Sequence, residues 1–187
     1  WSFSIGWGCD RLMTAADLAP VRSALAAALR RGTTAFDATG DLAGLECRGG
    51  KNWSDPPTPD DVGVDAVASL PEMTAVGGTT LSTDGEGGWL GEQSWYDVPL
   101  TQGSAGGASQ LFGRPSWQIV NPEAGPADRR LVPDVSAVAD PFTGVKFVFR
   151  QQVVVGGGTS QAAPLWAGMA ALVNELLNAS GLSPLGE

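Results

Sequence analysis

Ser160 is the residue whose type and setting best suit it to chemistry. It lies in the run GGGTSQAAP at 156–164, at the start of a predicted apolar helix. The glycines allow a substrate backbone to approach closely. The helix N-terminus supplies free N–H groups and a positive dipole, which stabilise developing negative charge. A hydroxyl nucleophile is useful in this position. The alternative is that Ser160 only caps the helix.

Asp41 is the second residue with chemical potential, because it ends a predicted strand at a Gly-Asp turn. A carboxyl group can donate a hydrogen bond to an oxyanion only when it is protonated. If Asp41 has this role, activity is acidic, since the donor is lost as Asp41 ionises. The alternative is a turn-forming Asp that bonds its own backbone.

The composition excludes several kinds of site. The 187 residues contain no histidine, so a Ser-His-Asp triad, a Cys-His dyad and a His-ligated metal site cannot be completed within the chain. The net charge of -9 argues against a nucleic-acid partner. No stretch is apolar for long enough to span a membrane. The two cysteines, Cys9 and Cys47, are too few for a disulfide scaffold or a four-ligand zinc site, and either one bridge or two free thiols remains open.

The elements that must position these residues predict a single α/β domain. Alternation at 1–7 predicts a strand, helical spacing predicts a helix from about Asp17 or Pro20 to Arg31, and 33–38 predicts a second strand. Strand, helix and strand at this spacing indicate a parallel sheet. Further predictions are a short strand at 73–76, an excursion of turns at 82–109, a hairpin at 145–149 and 152–155, and a largely buried helix from about Ser160 to Ala179.

Several segments together resemble the sedolisin family, the relatives of subtilisin that use carboxylates in catalysis. The GTSxxxP nucleophile motif of that family matches 158–164. The other matches occur in the family's order: SIGWG at 4–8, ATGD at 38–41, TAVGGT at 74–79, GGxS at 106–109, PSWQ at 115–118, and PDVSA with ADPxTG at 133–144. Each motif alone is weak or moderate, and their ordered combination over most of the chain is specific.

The resemblance implies a subtilisin-like fold, in which a mostly parallel central sheet is flanked by helices, and an acid-acting serine-carboxyl peptidase. It implies that Ser160 forms an acyl-enzyme and that Asp41 is a protonated oxyanion-hole donor. It also predicts that Asp134, like Asp140, is a structural carboxylate, and that Asp134 accepts backbone N–H groups near the nucleophile turn. The residues expected to bind the substrate backbone are Ser4, Gly6, Trp7, Gly8, Gly158 and Thr159.

Two parts of the family's machinery have no counterpart in the motifs of this chain. The family's base is a Glu followed four residues later by an Asp, on a helix that would precede Trp1. Its calcium ligands would follow Glu187, so calcium is expected with its ligands outside this chain and no metal ligand is predicted within it. We interpret the chain as a partial catalytic domain whose partner is an N-terminal fragment of the same precursor, and whose substrate is a peptide or protein. The alternative is a non-catalytic sedolisin-like domain that binds peptides or proteins.

The resemblance also bears on the cysteines and on rival classes. Cys9 follows the substrate-binding strand and Cys47 follows the Asp41 turn, so a disulfide is expected, together with secretion or with another acidic, oxidising compartment. An ordinary subtilisin would need a histidine and an Asn at position 41. A dinucleotide-binding domain would need GxGxxG after the first strand, and this sequence does not have it.

Overall fold

A central, mainly parallel sheet organises the protein. The computed structural model describes residues 1–49, 51, 55–97, 102–119, 122–126 and 128–186. In chain order the elements are β1 (Ser2–Phe3), α1 (Ala15–Leu29), β2 (Phe36–Ala38), β3 (Thr74–Thr83), β4 (Trp89–Ser94), β5 (Tyr96–Asp97), β6 (Gln102–Gly103), β7 (Gly107–Gly113), β8 (Arg129–Val132), β9 (Val135–Val138), β10 (Lys146–Phe149), β11 (Gln152–Val155) and α2 (Thr159–Ala179).

The sheet has β3 at its centre. The first half of β3 pairs in parallel with β2 on one side and β9 on the other, and β1 pairs in parallel with β2. The second half of β3 pairs antiparallel with β4. The prediction of a mostly parallel sheet with flanking helices is therefore confirmed. Because parallel strands end at the same edge, the loops after β1, β2 and β9 are neighbours.

Two clusters of buried side chains hold the helices in place. Leu18 and Leu25 of α1 pack against residues that include Leu70 and Met73. On α2 the contact is made by small residues, which pack against Phe36, Val76 and other side chains of the sheet. These small residues are Ala162, Ala163 and Ala170.

Helix α1 begins earlier than predicted. Thr14 is its N-cap, and a capping box forms in which the Asp17 N–H donates to the Thr14 hydroxyl and the Thr14 N–H donates to the Asp17 carboxylate. The predicted start at Asp17 or Pro20 was wrong because this T-x-x-D signature was passed over. Pro20 consequently lies beyond the first turn, inside the helix.

The segment 82–109 is also more regular than predicted. In its described part, β3 continues to Thr83 and returns as β4, and three further strands follow. Trp95 is buried and anchors this excursion to the sheet, since its backbone N–H donates to the Gly78 carbonyl. The glycine-rich polar composition hid these short strands, of which β4 is exposed along nearly its whole length. The predicted strand at 1–7 is conversely reduced to Ser2–Phe3.

The predicted hairpin is confirmed as β10 and β11. Helix α2 has the predicted length, but the prediction that its apolar stripe is largely buried was wrong. Four of the large side chains point away from the sheet, because the contact with it is made by alanines and by Trp166, whose ring N–H donates to the Ser136 carbonyl. The exposed residues are Met169, Leu172, Val173 and Leu176. No helix in the described ranges is long and apolar enough to cross a membrane.

Candidate active site

Ser160 lies in the first turn of α2, with its side chain exposed. The N-cap of this helix is Gly158, with φ of +84°, and Ser160 is the second helical residue. The capping explanation for Ser160 therefore does not hold. On one flank, the Ser4 hydroxyl donates to the backbone carbonyl of Ser160 at 2.8 Å. The segment after β1 thus passes directly beside the candidate nucleophile.

Asp41 lies at the same helix end. It follows β2 by three residues, at the edge of the sheet where β1 and β9 also end. Its Oδ1 atom accepts the backbone N–H of Thr159 at 2.7 Å and the Thr159 hydroxyl at 2.8 Å. Its Oδ2 atom lies over Gly158, where an added Cβ would approach it to 2.7 Å. The structure therefore brings the Asp41 carboxyl to the residues immediately before Ser160.

Thr159 joins the two loops. Besides donating to Asp41, its hydroxyl accepts the backbone N–H of Gly40 at 3.1 Å. Thr159 is completely buried and Gly158 is buried as well. The groups of Thr159 are occupied in holding Asp41 and Gly40, and the Gly158 N–H donates to the Ala139 carbonyl, so substrate binding by these two residues stays a prediction.

Glu46 is a site residue that the sequence analysis did not single out. Its carboxylate packs against Gly40, and its Oε1 atom accepts the backbone N–H of Leu42 at 3.0 Å. Burial raises the pKa of Glu46 to about 7, the charges of Asp65 and Asp41 add to the shift, and the Leu42 N–H opposes it. Through its contacts with Gly40 and Leu42, Glu46 therefore supports both sides of Asp41 in the turn. The signal that the sequence offered for this residue was the position of Glu46 between the Asp41 turn and Cys47.

The segment Ser4–Gly8 runs exposed along the site but is not a strand of the sheet. The Trp7 N–H donates to the Asp65 carboxylate at 2.6 Å, and the Gly8 carbonyl accepts the Ala66 N–H at 2.7 Å. These two hydrogen bonds therefore fix the second half of the segment to Asp65 and Ala66. Gly6 has open space where a side chain would lie.

Asp134 lies farther from the site than predicted. It precedes β9, whereas the nucleophile turn meets the other end of that strand, where the Gly158 N–H donates to the Ala139 carbonyl. Asp134 accepts the Ala75 N–H at 2.8 Å and forms an ion pair with the buried Arg130 at 2.5 Å. Its closeness to the nucleophile turn was wrongly predicted, because the motif alone does not show at which end of β9 the residue falls.

Asp140 follows the opposite end of β9. It accepts the Thr80 hydroxyl and the Phe142 N–H, both at 2.8 Å. The first contact is with β3 and the second is within the loop after β9, so Asp140 holds that loop against β3.

Cys9 and Cys47 form a disulfide with a Cα–Cα distance of 4.7 Å. The bridge ties the end of the Ser4–Gly8 segment to the residue after Glu46. It packs tightly on Gly63, where an added Cβ would collide with the Cys47 sulfur. The two loops that flank Ser160 are thus covalently linked.

Three buried carboxyls lie deeper in the same region. Asp65 accepts three backbone N–H groups, and burial raises its pKa. Asp37 is fully buried on β2, and burial, followed by the charge of Asp65, raises its pKa to about 8. Asp10 accepts the Ser109 hydroxyl at 2.7 Å. Within the described ranges, no group of three or more His, Cys, Asp or Glu side chains is arranged to hold a metal ion.

The fold and site together define a class of protein. An exposed serine at a helix tip, a carboxyl at the adjoining turn and a parallel sheet that ends beneath both describe an α/β domain of the serine-carboxyl peptidase type.

Known proteins agree with this description. Kumamolisin from Bacillus sp. (strain MN-32) is 36% identical over 180 residues, which are 93% of this chain and 31% of the relative. Sedolisin from Pseudomonas sp. (strain 101) is 35% identical over 77% of this chain and 24% of its own length.

More distant relatives and a solved structure point the same way. Human tripeptidyl-peptidase 1 is 30% identical over 98% of this chain and 32% of its own length. Pseudomonas sedolisin, a serine-carboxyl proteinase solved with two molecules of pseudo-iodotyrostatin, superposes with a TM-score of 0.74 at 31% identity, over 97% of this chain and 48% of that one. No family model matches the chain. The chain belongs to the sedolisin family, and it spans about a quarter to a third of the length of these curated relatives.

Proposed function

We propose that the chain is the core of an acid-acting serine-carboxyl peptidase that cleaves peptide bonds through an acyl-enzyme at Ser160. The observation that carries the proposal is the contact between Asp41 and Thr159, which holds a carboxyl beside an exposed serine at a helix N-terminus. In this reaction the Ser160 oxygen bonds to the substrate carbonyl carbon. The C–N bond breaks, the amine leaves with a proton, and water then hydrolyses the ester.

Asp41 is proposed to donate to the oxyanion. Its Oδ1 atom accepts two hydrogen bonds from Thr159, which favours Oδ1 as the carbonyl-type oxygen of a neutral carboxyl group. The proton is then on Oδ2, which lies over Gly158 beside Ser160. Oδ2–H and the Ser160 backbone N–H form the pair of donors. The first donor exists only while the carboxyl group carries its proton.

The base that accepts the Ser160 proton is proposed to be a Glu, supported by an Asp four residues later, in a segment that precedes Trp1. Two observations support this. The chain has no histidine, and it covers 48% of the solved sedolisin chain it resembles. The calcium ligands expected from the family are likewise proposed to lie outside this chain. The partner is then an N-terminal fragment of the same precursor, retained after autoprocessing.

The substrate is proposed to be an extended peptide that runs along Ser4–Gly8, with its backbone against Ser4, Gly6, Trp7 and Gly8. The exposed segment and the open space at Gly6 support this arrangement. The Cys9–Cys47 disulfide supports secretion into an oxidising space.

Hydrolysis of internally quenched peptides between about pH 3 and 7 tests the proposal. The chain would be assayed alone and together with the upstream segment of its precursor. We expect activity in the combined preparation, highest at the acid end, and abolished by Ser160→Ala. The exposed Ser180, at the other end of α2, supplies a matched control, and Ser180→Ala should be fully active. Equal hydrolysis by Ser160→Ala would refute the proposal. Saturable peptide binding without hydrolysis in the native protein would instead support a binding module.

A further inference from the structure

A groove on the second flank of Ser160 is not used by the proposed mechanism. It lies between the β10–β11 hairpin and the first turn of α2 and has a volume of about 470 Å³. This is within the range of about 300–1,000 Å³ that is typical of ligand sites. Its lining is mainly apolar and includes Val145, Phe147, Pro164 and Leu165, with Ser160 at its mouth.

The position of the groove relative to the strands of the sheet determines which half of a bound substrate contacts it. Ser4 follows β1, at one edge of the parallel strands, and touches the Ser160 carbonyl. Gln161 donates through its side-chain Nε2 to the carbonyl of Val138, at the end of β9 on the other side. Ser160 therefore lies between the Ser4 segment and the groove. A peptide that crosses Ser160 from the Ser4 segment continues into this groove.

Three residues, Gly156, Gln161 and Phe147, define the shape of the groove. Gly156 forms part of its wall, and an added Cβ there would collide with the Gln161 amide and approach the Phe147 ring to 2.7 Å. Gln161 is held by its bond to Val138, so its aliphatic stem is fixed against the groove. Phe147 retains 48% exposure and presents its ring to this space. An apolar side chain entering the groove would cover that ring.

We propose that this groove is the leaving-group subsite, which selects a large apolar side chain on the residue immediately after the scissile bond. The inference rests on the proposed peptidase function and on the acyl half of the substrate lying along Ser4–Gly8. Burial of one apolar side chain against the Phe147 ring provides the selectivity. Among the residues that the structure describes, no charged side chain lines the groove, so an Asp or Lys at this substrate position would lose solvation without gaining a partner.

The test uses peptides that differ only in the residue after the cleaved bond, assayed with the combined preparation described above. We expect kcat/KM to be about tenfold higher for Leu or Phe than for Asp, Lys or Gly, the usual size of discrimination by an apolar pocket. Phe147→Ala should reduce this ratio to about twofold, and Phe147→Leu should preserve most of it.

Val148 provides the matched control, because it is on the opposite face of the same hairpin and is 72% exposed. Val148→Ala should leave the ratio unchanged. Hydrolysis that depends on Ser160 but shows no preference at this position would overturn the subsite while leaving the peptidase function intact. Absence of Ser160-dependent hydrolysis would overturn both. A preference that Phe147→Ala does not alter, with an unchanged melting temperature, would also contradict the assignment.

Discussion

Thr159 donates both its backbone N–H and its hydroxyl to the same oxygen of Asp41, at 2.7 and 2.8 Å. Two loops that are 118 residues apart in the chain are joined by this pair. This contact orients the Asp41 carboxyl group. Its Oδ1 atom accepts both hydrogen bonds, and its Oδ2 atom lies over Gly158 without a bond to Thr159. The contact also satisfies one of the free N–H groups at the start of α2.

Replacement of Thr159 by Val tests this contact. The isosteric change removes the hydroxyl bond to Asp41 and leaves the Gly40 N–H without its acceptor. We expect a loss of about 1–3 kcal/mol in the free energy of unfolding, as for a buried hydrogen-bonding group left unpaired. Peptidase activity should fall further than the loss of folded protein explains. Thr159→Ser keeps the hydroxyl and should retain both properties. Equal effects of the two substitutions in denaturant titrations would contradict this role.

Gly158→Ala should reduce activity strongly. The position has φ of +84°, which disfavours any residue with a Cβ, and the new Cβ would be 2.7 Å from the Asp41 Oδ2 atom. Displacement of the oxyanion donor should cost about 10²–10³ in kcat.

Gly168→Ala is the matched control on the same helix, because no neighbouring atom lies within 4 Å of its added Cβ. It should keep full activity and gain about 1 kcal/mol through helix propensity. A fully active Gly158→Ala protein would show that Asp41 has no part in the reaction.

Removal of the disulfide should destabilise the protein. Cys9 and Cys47 close a loop with a sequence separation of 38, so Cys9→Ala with Cys47→Ala should cost about 2–4 kcal/mol. Thermal melting with and without a dithiol reductant measures this. The reductant should lower the melting temperature of the native protein and leave that of the double variant unchanged. An unchanged melting temperature for the native protein in reductant would show that the bridge contributes nothing.

Stability should decline as the pH rises from about 4 towards 8. The pKa of buried Asp37 is raised to about 8 from the ordinary 3.8, so the folded state binds a proton that the unfolded state has released in this range. Its contribution is complete below pH 4 and is lost as the pH passes through the folded value. The slope for one such group is about 1.4 kcal/mol per pH unit. Glu46 adds a similar decline up to about pH 7.

Asp37→Asn isolates the contribution of that carboxyl. The variant cannot ionise there, so its free energy of unfolding should fall less steeply between pH 4 and 8. Asp128→Asn changes an exposed carboxyl and should reproduce the native slope. If the free energy of unfolding of the Asp37→Asn protein falls with pH as steeply as that of the native protein, the decline arises from other groups.

Local signals in the sequence were sufficient for much of the framework. The alternation and glycine punctuation around α2 and the β10–β11 hairpin placed both correctly, and the βαβ spacing gave the parallel sheet. The failures have physical causes. The start of α1 depends on the Thr14–Asp17 capping box, and the burial of α2 depends on which of its faces meets the sheet.

The site was predictable where it depends on motifs and less so where it depends on tertiary contacts. Ser160 and Asp41 were named from the chemistry of their turns together with the ordered family motifs, and the structure brings their loops together through Thr159. That Thr159 is buried, that Glu46 braces the turn, and that Asp134 lies at the far end of β9 follow only from packing. The groove beside Phe147 requires two segments that are close only in the folded chain.

Mass spectrometry of the acid-quenched reaction tests the central claim most directly. The combined preparation would be mixed with a slowly hydrolysed peptide ester at acidic pH, stopped, digested and mapped. We predict an acyl group on the peptide that contains Ser160, absent in Ser160→Ala and much reduced in Asp41→Ala. Continued hydrolysis with an acyl group on a different residue, or an acyl-Ser160 yield unaffected by Asp41→Ala, would contradict the account.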